Sequence, residues 1–177
     1  MKYLWLLASF LIVSVASATA APTEAGKKIA CAAQLSVGKK MWKGYGLPNG
    51  TLGCAAALSN VLKAAGVSTA HSAAVVQVRR QLLTDKSKVQ ELIIRNGPQE
   101  ELKDDKLNAL AQPGDIVLAF AKPPSNPNGG PDAHCGILAT PTDIFTNDWN
   151  DGIWKKVNIH QMFDYYPYLR LVRIEKL

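Results

Sequence analysis

The period of the apolar residues changes at Pro113-Gly114, and that change limits the folds open to this 177-residue chain. Before it, apolar side chains recur at helical spacing; after it, they gather in short strand-like runs. Ile29, Ala33, Val37 and Met41, at steps of four, predict a helix over 25–43 that ends in the turn chemistry of 44–50. A second helix is expected over about 52–65, with Thr51 as N-cap and Gly66 as its stop. A third is expected over 72–83 and a fourth over 89–95, before Asn96-Gly97-Pro98. Beyond Pro113-Gly114 the predicted strands are 115–120, 134–139, 142–146, 153–159 and 168–174, and the segment 121–133, rich in Pro, Gly and Asn, reads as a loop. Helices followed by hairpin-connected strands give an α+β domain, with N-terminal helices packed on a small antiparallel β-sheet.

Residues 1–20 need separate treatment. Lys2 forms a short basic region, Tyr3 to Val15 an apolar stretch and Ala18-Thr19-Ala20 a small-residue cleavage signal. This is the pattern of a secretory signal peptide, and the apolar stretch is shorter than a membrane span requires. The expected mature chain, 21–177, is a single domain that is secreted or held in the periplasm or cell envelope, without stable membrane insertion. Lys2 is the one charged residue of the removed segment, so the net charge of +6 falls to +5. That balance favours anionic partners, but no block of like charges forms, and nucleic acid is not among the expected partners.

Three cysteines cannot all pair within one chain, so at least one thiol is free. Cys54 follows Gly53 at the start of the second expected helix, where unpaired amides and the helix dipole favour a thiolate. A thiolate nucleophile needs a base, and His71, His134 and His160 are the only histidines. His134 opens a predicted strand at the end of the 121–133 loop, which suits it to the rim of a cleft. The imidazole in turn needs an orienting partner on its other nitrogen. Asn147, at the end of the following strand, is the first candidate, and Asp148 and Asn150 compete with it. The Asn147 to Gly152 cluster lacks the spacing and closing Glu of a calcium loop.

Gly53-Cys54-Ala55, then Gln112-Pro113-Gly114-Asp115-Ile116-Val117, then His134-Cys135-Gly136-Ile137-Leu138, then a polar residue closing the next strand: this order resembles the NlpC-type and CHAP-type papain-like cysteine hydrolases of bacterial cell walls. The resemblance covers nearly all of the mature chain. It implies a papain-like fold and a cysteine endopeptidase or amidase that cuts amide bonds in peptidoglycan stem peptides, without metal or cofactor. It also implies Cys54 as nucleophile, His134 as base and then acid, and Asn147 as third member. Tyr45, Gly53 and Asp148 are the expected substrate-binding residues, and the Cys54 N–H is expected in the oxyanion hole. The implied partners are the peptide substrate and, where one exists, an inhibitor protein. Many NlpC relatives carry Asp-Cys-Ser-Gly where this chain has Gly53-Cys54-Ala55-Ala56, and a histidine in place of Asn147. Asp115 reads as a structural residue of the turn.

With His134 facing the cleft, strand alternation turns Cys135 toward the covering helices, which makes Cys31 and Cys135 candidates for a disulfide. Two other functions compete with the hydrolase: an acyltransferase on the same fold, because a thioester can be passed to an amine or alcohol as well as to water, and an inactive wall-binding module. A zinc site is disfavoured by the absence of any C-x-x-C pair and by the adjacency of His134 and Cys135.

Overall fold

The computed structural model describes residues 21–68, 70–125 and 132–177. The expected signal peptide at 1–20 and part of the 121–133 loop lie outside the described residues. Within them, three helices come first: α1 (Glu24–Leu35), α2 (Cys54–Ala64) and α3 (Val75–Leu82). Then follow β1 (Val89–Asn96), α4 (Asp104–Leu110), β2 (Ile116–Phe120), β3 (Ala133–Leu138), β4 (Asp143–Asn147), β5 (Trp154–Asn158), α5 (His160–Phe163) and β6 (Tyr168–Ile174). The six strands form one antiparallel sheet in the order β1-β6-β2-β3-β4-β5. β2 to β5 make a meander, and β6 returns to lie between β1 and β2.

Alternation along the strands divides the core in two. Ile116, Leu118, Phe120, Cys135, Ile137 and Phe145 point to one face, under α1, α2 and α3. Val117, Ala119, Leu138, Ile144, Leu169 and Leu171 point to the other, where Leu107 of α4 and Met162 and Phe163 of α5 cover them. Every residue of β2 is therefore buried. α2 is buried along most of its length, which its run of alanines permits by allowing close approach to β3 and β4.

Several local expectations are corrected. The segment 89–95 is strand and not helix: Val89 to Asn96 pair with β6 from Val89 opposite Ile174 to Asn96 opposite Tyr168. The ladder supplied by β6 outweighs a weak helical pattern that contains adjacent β-branched Ile93 and Ile94. The first helix ends at Leu35 rather than near 43. Gly38 takes a positive φ and its N–H donates to the Trp154 carbonyl, while the Trp154 N–H donates to the Lys39 carbonyl, so the chain leaves the helix to pair with the edge of β5. Thr51 is not a cap: its hydroxyl donates to Asn49, and Gly53 holds the N-cap position of α2 without a side-chain bond. The short helices α4 and α5 have too few turns to show a period in the sequence.

The Pro113-Gly114-Asp115 turn locks β2 to the rest of the molecule. Asp115 is buried, accepts two bonds from Arg173 at 2.9 and 2.7 Å, and accepts the Gln112 N–H at 2.8 Å. Gly114 has φ of 90°, and a Cβ there would run into the Gly26 carbonyl of α1. Gly114→Ala is therefore expected to cost more than about 2 kcal/mol, from left-handed strain and the clash together. Urea unfolding of the two proteins measures this directly, and equal midpoints would contradict it.

Candidate active site

Cys54 is the first residue of α2, and its side chain faces a cleft of about 430 Å³. Leu47, Leu52, Val75, Val76, Asp132, His134, Trp149 and Tyr166 contribute to the walls. The cleft thus lies where the start of α2 meets the start of β3, with the 44–53 segment and the residues before α3 on one side.

His134 is nearly buried, packed against Trp149 and Phe163 with ring centroids 5.2 Å from each. Its Nε2 lies 2.8 Å from the Thr146 hydroxyl. That hydroxyl has one proton, and it donates it to the Cys135 carbonyl at 2.7 Å, a group that can only accept. Thr146 must therefore accept from His134, which fixes the proton on Nε2. Nδ1 is then left with its lone pair, which is the tautomer a general base requires.

Three contacts act on the sulfur of Cys54. The neighbouring Cys135 thiol is the strongest influence holding Cys54 well below the usual thiol range; burial opposes it, and the His134 imidazole and the Ala55 N–H add to the lowering. Cys135 is fully buried beneath, and burial first, then the neighbouring Cys54 thiolate, push its thiol well up. Of the pair, the thiol that faces the cleft is thus the more acidic and the one behind it the less acidic. The Cys54 sulfur also lies 3.8 Å from the Ala133 carbonyl.

The lowered value of Cys54 has a measurable sign. A thiol whose ionisation is favoured stays reactive as pH falls, until the pH passes its depressed value. Alkylation of Cys54 by iodoacetamide is expected to fall less steeply with decreasing pH in the native protein than in unfolded protein, where the rate falls about tenfold per unit below the ordinary thiol value. A native profile that matches the unfolded one would contradict the thiolate assignment.

Cys54 and His134 both line this cleft, and Asn147 does not join them. Gly136 lies opposite Thr146, so Thr146 shares the His134 face of the sheet and Asn147 points to the other. Asn147 donates to the Gly50 carbonyl at 2.8 Å and so secures the turn before α2. The orienting group found by sequence order is corrected to Thr146, one residue earlier. Asp148 accepts from Lys155 and from the Asn150 N–H, so both Asp148 and Asn150 are engaged within this turn. The Lys155 ammonium and the Asn150 amide hold the Asp148 carboxyl below its usual range. Gly53 caps α2, and any side chain there would press on Trp42. The Tyr45 hydroxyl bonds to His71 Nδ1 at 2.8 Å, and Leu47, two residues on, is the part of that turn that reaches the cleft.

The expected Cys31–Cys135 disulfide is absent. Cys135 does turn toward the helices, but the buried face of α1 is Ala25, Gly26, Ile29 and Ala33, and Cys31 lies exposed on the outside. The thiol that Cys135 meets is that of Cys54.

The chain matches no protein-family model, and no curated protein matches it significantly.

Proposed function

We propose that this chain is an exported papain-like cysteine hydrolase of the NlpC/CHAP type that cuts amide bonds in peptidoglycan stem peptides. The observation that carries the reading is the Cys54 thiol at the start of α2 beside His134, whose Nε2–H is committed to Thr146. The choice of peptidoglycan rests on the resemblance of the Cys54, Pro113-Gly114-Asp115 and His134 motifs to the cell-wall families, and the signal-like residues 1–20 suit an envelope enzyme.

In the first half-reaction the Cys54 thiolate attacks the scissile carbonyl carbon, and the oxygen that gains charge is stabilised by the Cys54 backbone N–H, worth about 10²-fold per donor. The proton that His134 took from the thiol passes from Nδ1 to the leaving amine, the C–N bond breaks, and a thioester remains on Cys54. Water then attacks the thioester with Nδ1 as base, and collapse returns the thiol. Thr146 accepts from Nε2 throughout, so the imidazole does not need to rotate between its two proton transfers. The basic surface, +5 after loss of Lys2, favours residence on an anionic wall polymer.

The test is incubation of purified peptidoglycan sacculi with protein beginning at Ala21, followed by mass spectrometry of the soluble products. Stem-peptide fragments ending at one defined amide bond support the reading and name the bond. Intact sacculi, from protein whose Cys54 is shown to be alkylatable, would overturn it.

A further inference from the structure

The second thiol of the site lies behind Cys54 and does not line the cleft. Cys135 is fully buried on the helix-facing side of β3, two residues along the strand from Ala133, whose carbonyl lies 3.8 Å from the Cys54 sulfur. Strand alternation sets Ala133 and Cys135 on the same face, so Cys54 and Cys135 lie in the same core cluster where α2 packs on β3, close enough for each thiol to act on the other's ionisation. Cys54 lines the open cleft and Cys135 does not. A solute that enters the cleft therefore meets Cys54 first, with Cys135 directly behind it. Cys31, exposed on α1, stands apart from the pair.

We propose that Cys54 and Cys135 form an intramolecular disulfide when the protein meets a peroxide, a modification site that reversibly closes the cleft nucleophile. The inference rests on the thiol pair alone and holds whether or not Cys54 is a hydrolase nucleophile. In the first step the Cys54 thiolate attacks one peroxide oxygen; the O–O bond breaks, Cys54 becomes a sulfenic acid, and the departing oxygen takes a proton to leave as an alcohol or water. In the second, the Cys135 sulfur attacks the sulfur of Cys54; the S–O bond breaks, and the hydroxide released takes up the Cys135 proton as water. The two thiols lose two electrons in all, and the peroxide gains them. A dithiol reductant reverses the change.

The arrangement favours this order. While Cys54 is a thiolate, its charge helps to keep Cys135 protonated. Burial is the larger cause that raises the Cys135 thiol, and conversion of Cys54 to a neutral sulfenic acid removes the smaller contribution of the Cys54 charge at the moment when a nucleophile is needed. Bond formation brings the two sulfurs to about 2.05 Å. The same second step protects Cys54 from irreversible oxidation to the sulfinic acid.

The experiment treats reduced protein beginning at Ala21 with hydrogen peroxide, blocks the remaining thiols with iodoacetamide under denaturing conditions, and maps non-reduced tryptic peptides by mass. The expected product has lost about 2 Da, the two thiol hydrogens, and joins peptides 44–63 and 107–155, with Cys31 still alkylated. Dithiothreitol restores both thiols. In Cys135→Ala, Cys54 is expected to advance to the sulfinic acid, a gain of about 32 Da that dithiothreitol does not reverse. Sulfinic acid at Cys54 in the wild type with Cys135 still alkylatable, or a bridge that contains Cys31, would overturn the proposal. The wild-type map decides the matter even if Cys135→Ala fails to fold.

Discussion

Replacement of Cys54 by alanine is expected to lower fragment release from sacculi by at least about 10³-fold, and His134→Ala by a comparable factor. The two act as one unit: without the thiol there is no covalent intermediate, and without Nδ1 the leaving amine receives no proton. Their effects should not multiply, so the double variant is expected to resemble either single one. Cys54→Ala removes only one sulfur from the helix start, so its thermal unfolding should remain cooperative, which separates lost chemistry from lost structure. Near-wild-type release by either variant would remove that residue from the mechanism.

The second large effect belongs to Thr146. Thr146→Val keeps the shape but removes the acceptor that fixes the His134 tautomer, and it also strips the Cys135 carbonyl of its donor. The expected loss is about 10- to 100-fold in kcat with little change in KM, because Thr146 acts through His134 and not on the substrate. Thr146→Ser, which retains the hydroxyl, should recover most of the activity, and the pH profile of the valine variant should differ from that of the wild type. A merely structural residue would lower stability without shifting the profile. Asn147→Ala supplies the contrast: it frees the Gly50 carbonyl and weakens the turn before α2, but should leave the per-molecule rate within a few-fold. If Asn147→Ala rather than Thr146→Val lost the chemistry, the tautomer argument would fail.

The sequence carried the parts of the fold that depend on local pattern. Helical spacing located α1, α2 and α3, and short apolar or alternating runs located β2 to β6, because the positions these elements bury lie close together in sequence. β1 was hidden, since Val89 to Asn96 become a strand only through pairing with β6, roughly eighty residues further on. That Cys54 and His134 share one cleft was legible from their residue types and from the helix start and strand start that carry them. The orienting residue was not legible from order alone, which favours the last polar residue of the strand. It depends on register: with Gly136 opposite Thr146, side chains two residues apart share a face, so a residue adjacent to Thr146 cannot take its place. The contact of Cys54 with Cys135 lies further from the sequence, because it depends on how closely the alanine-rich α2 settles on β3.

The central claim is that Cys54 forms a covalent acyl intermediate, and the most direct measurement is the intact mass of the protein when turnover on a stem peptide is stopped with acid. The account predicts an adduct with the mass of the acyl half of the substrate, mapped to peptide 44–63, released by hydroxylamine as a thioester should be, and absent from Cys54→Ala. Peptide cleavage by the wild type with no adduct on Cys54, or an adduct on another residue that persists in Cys54→Ala, would contradict it.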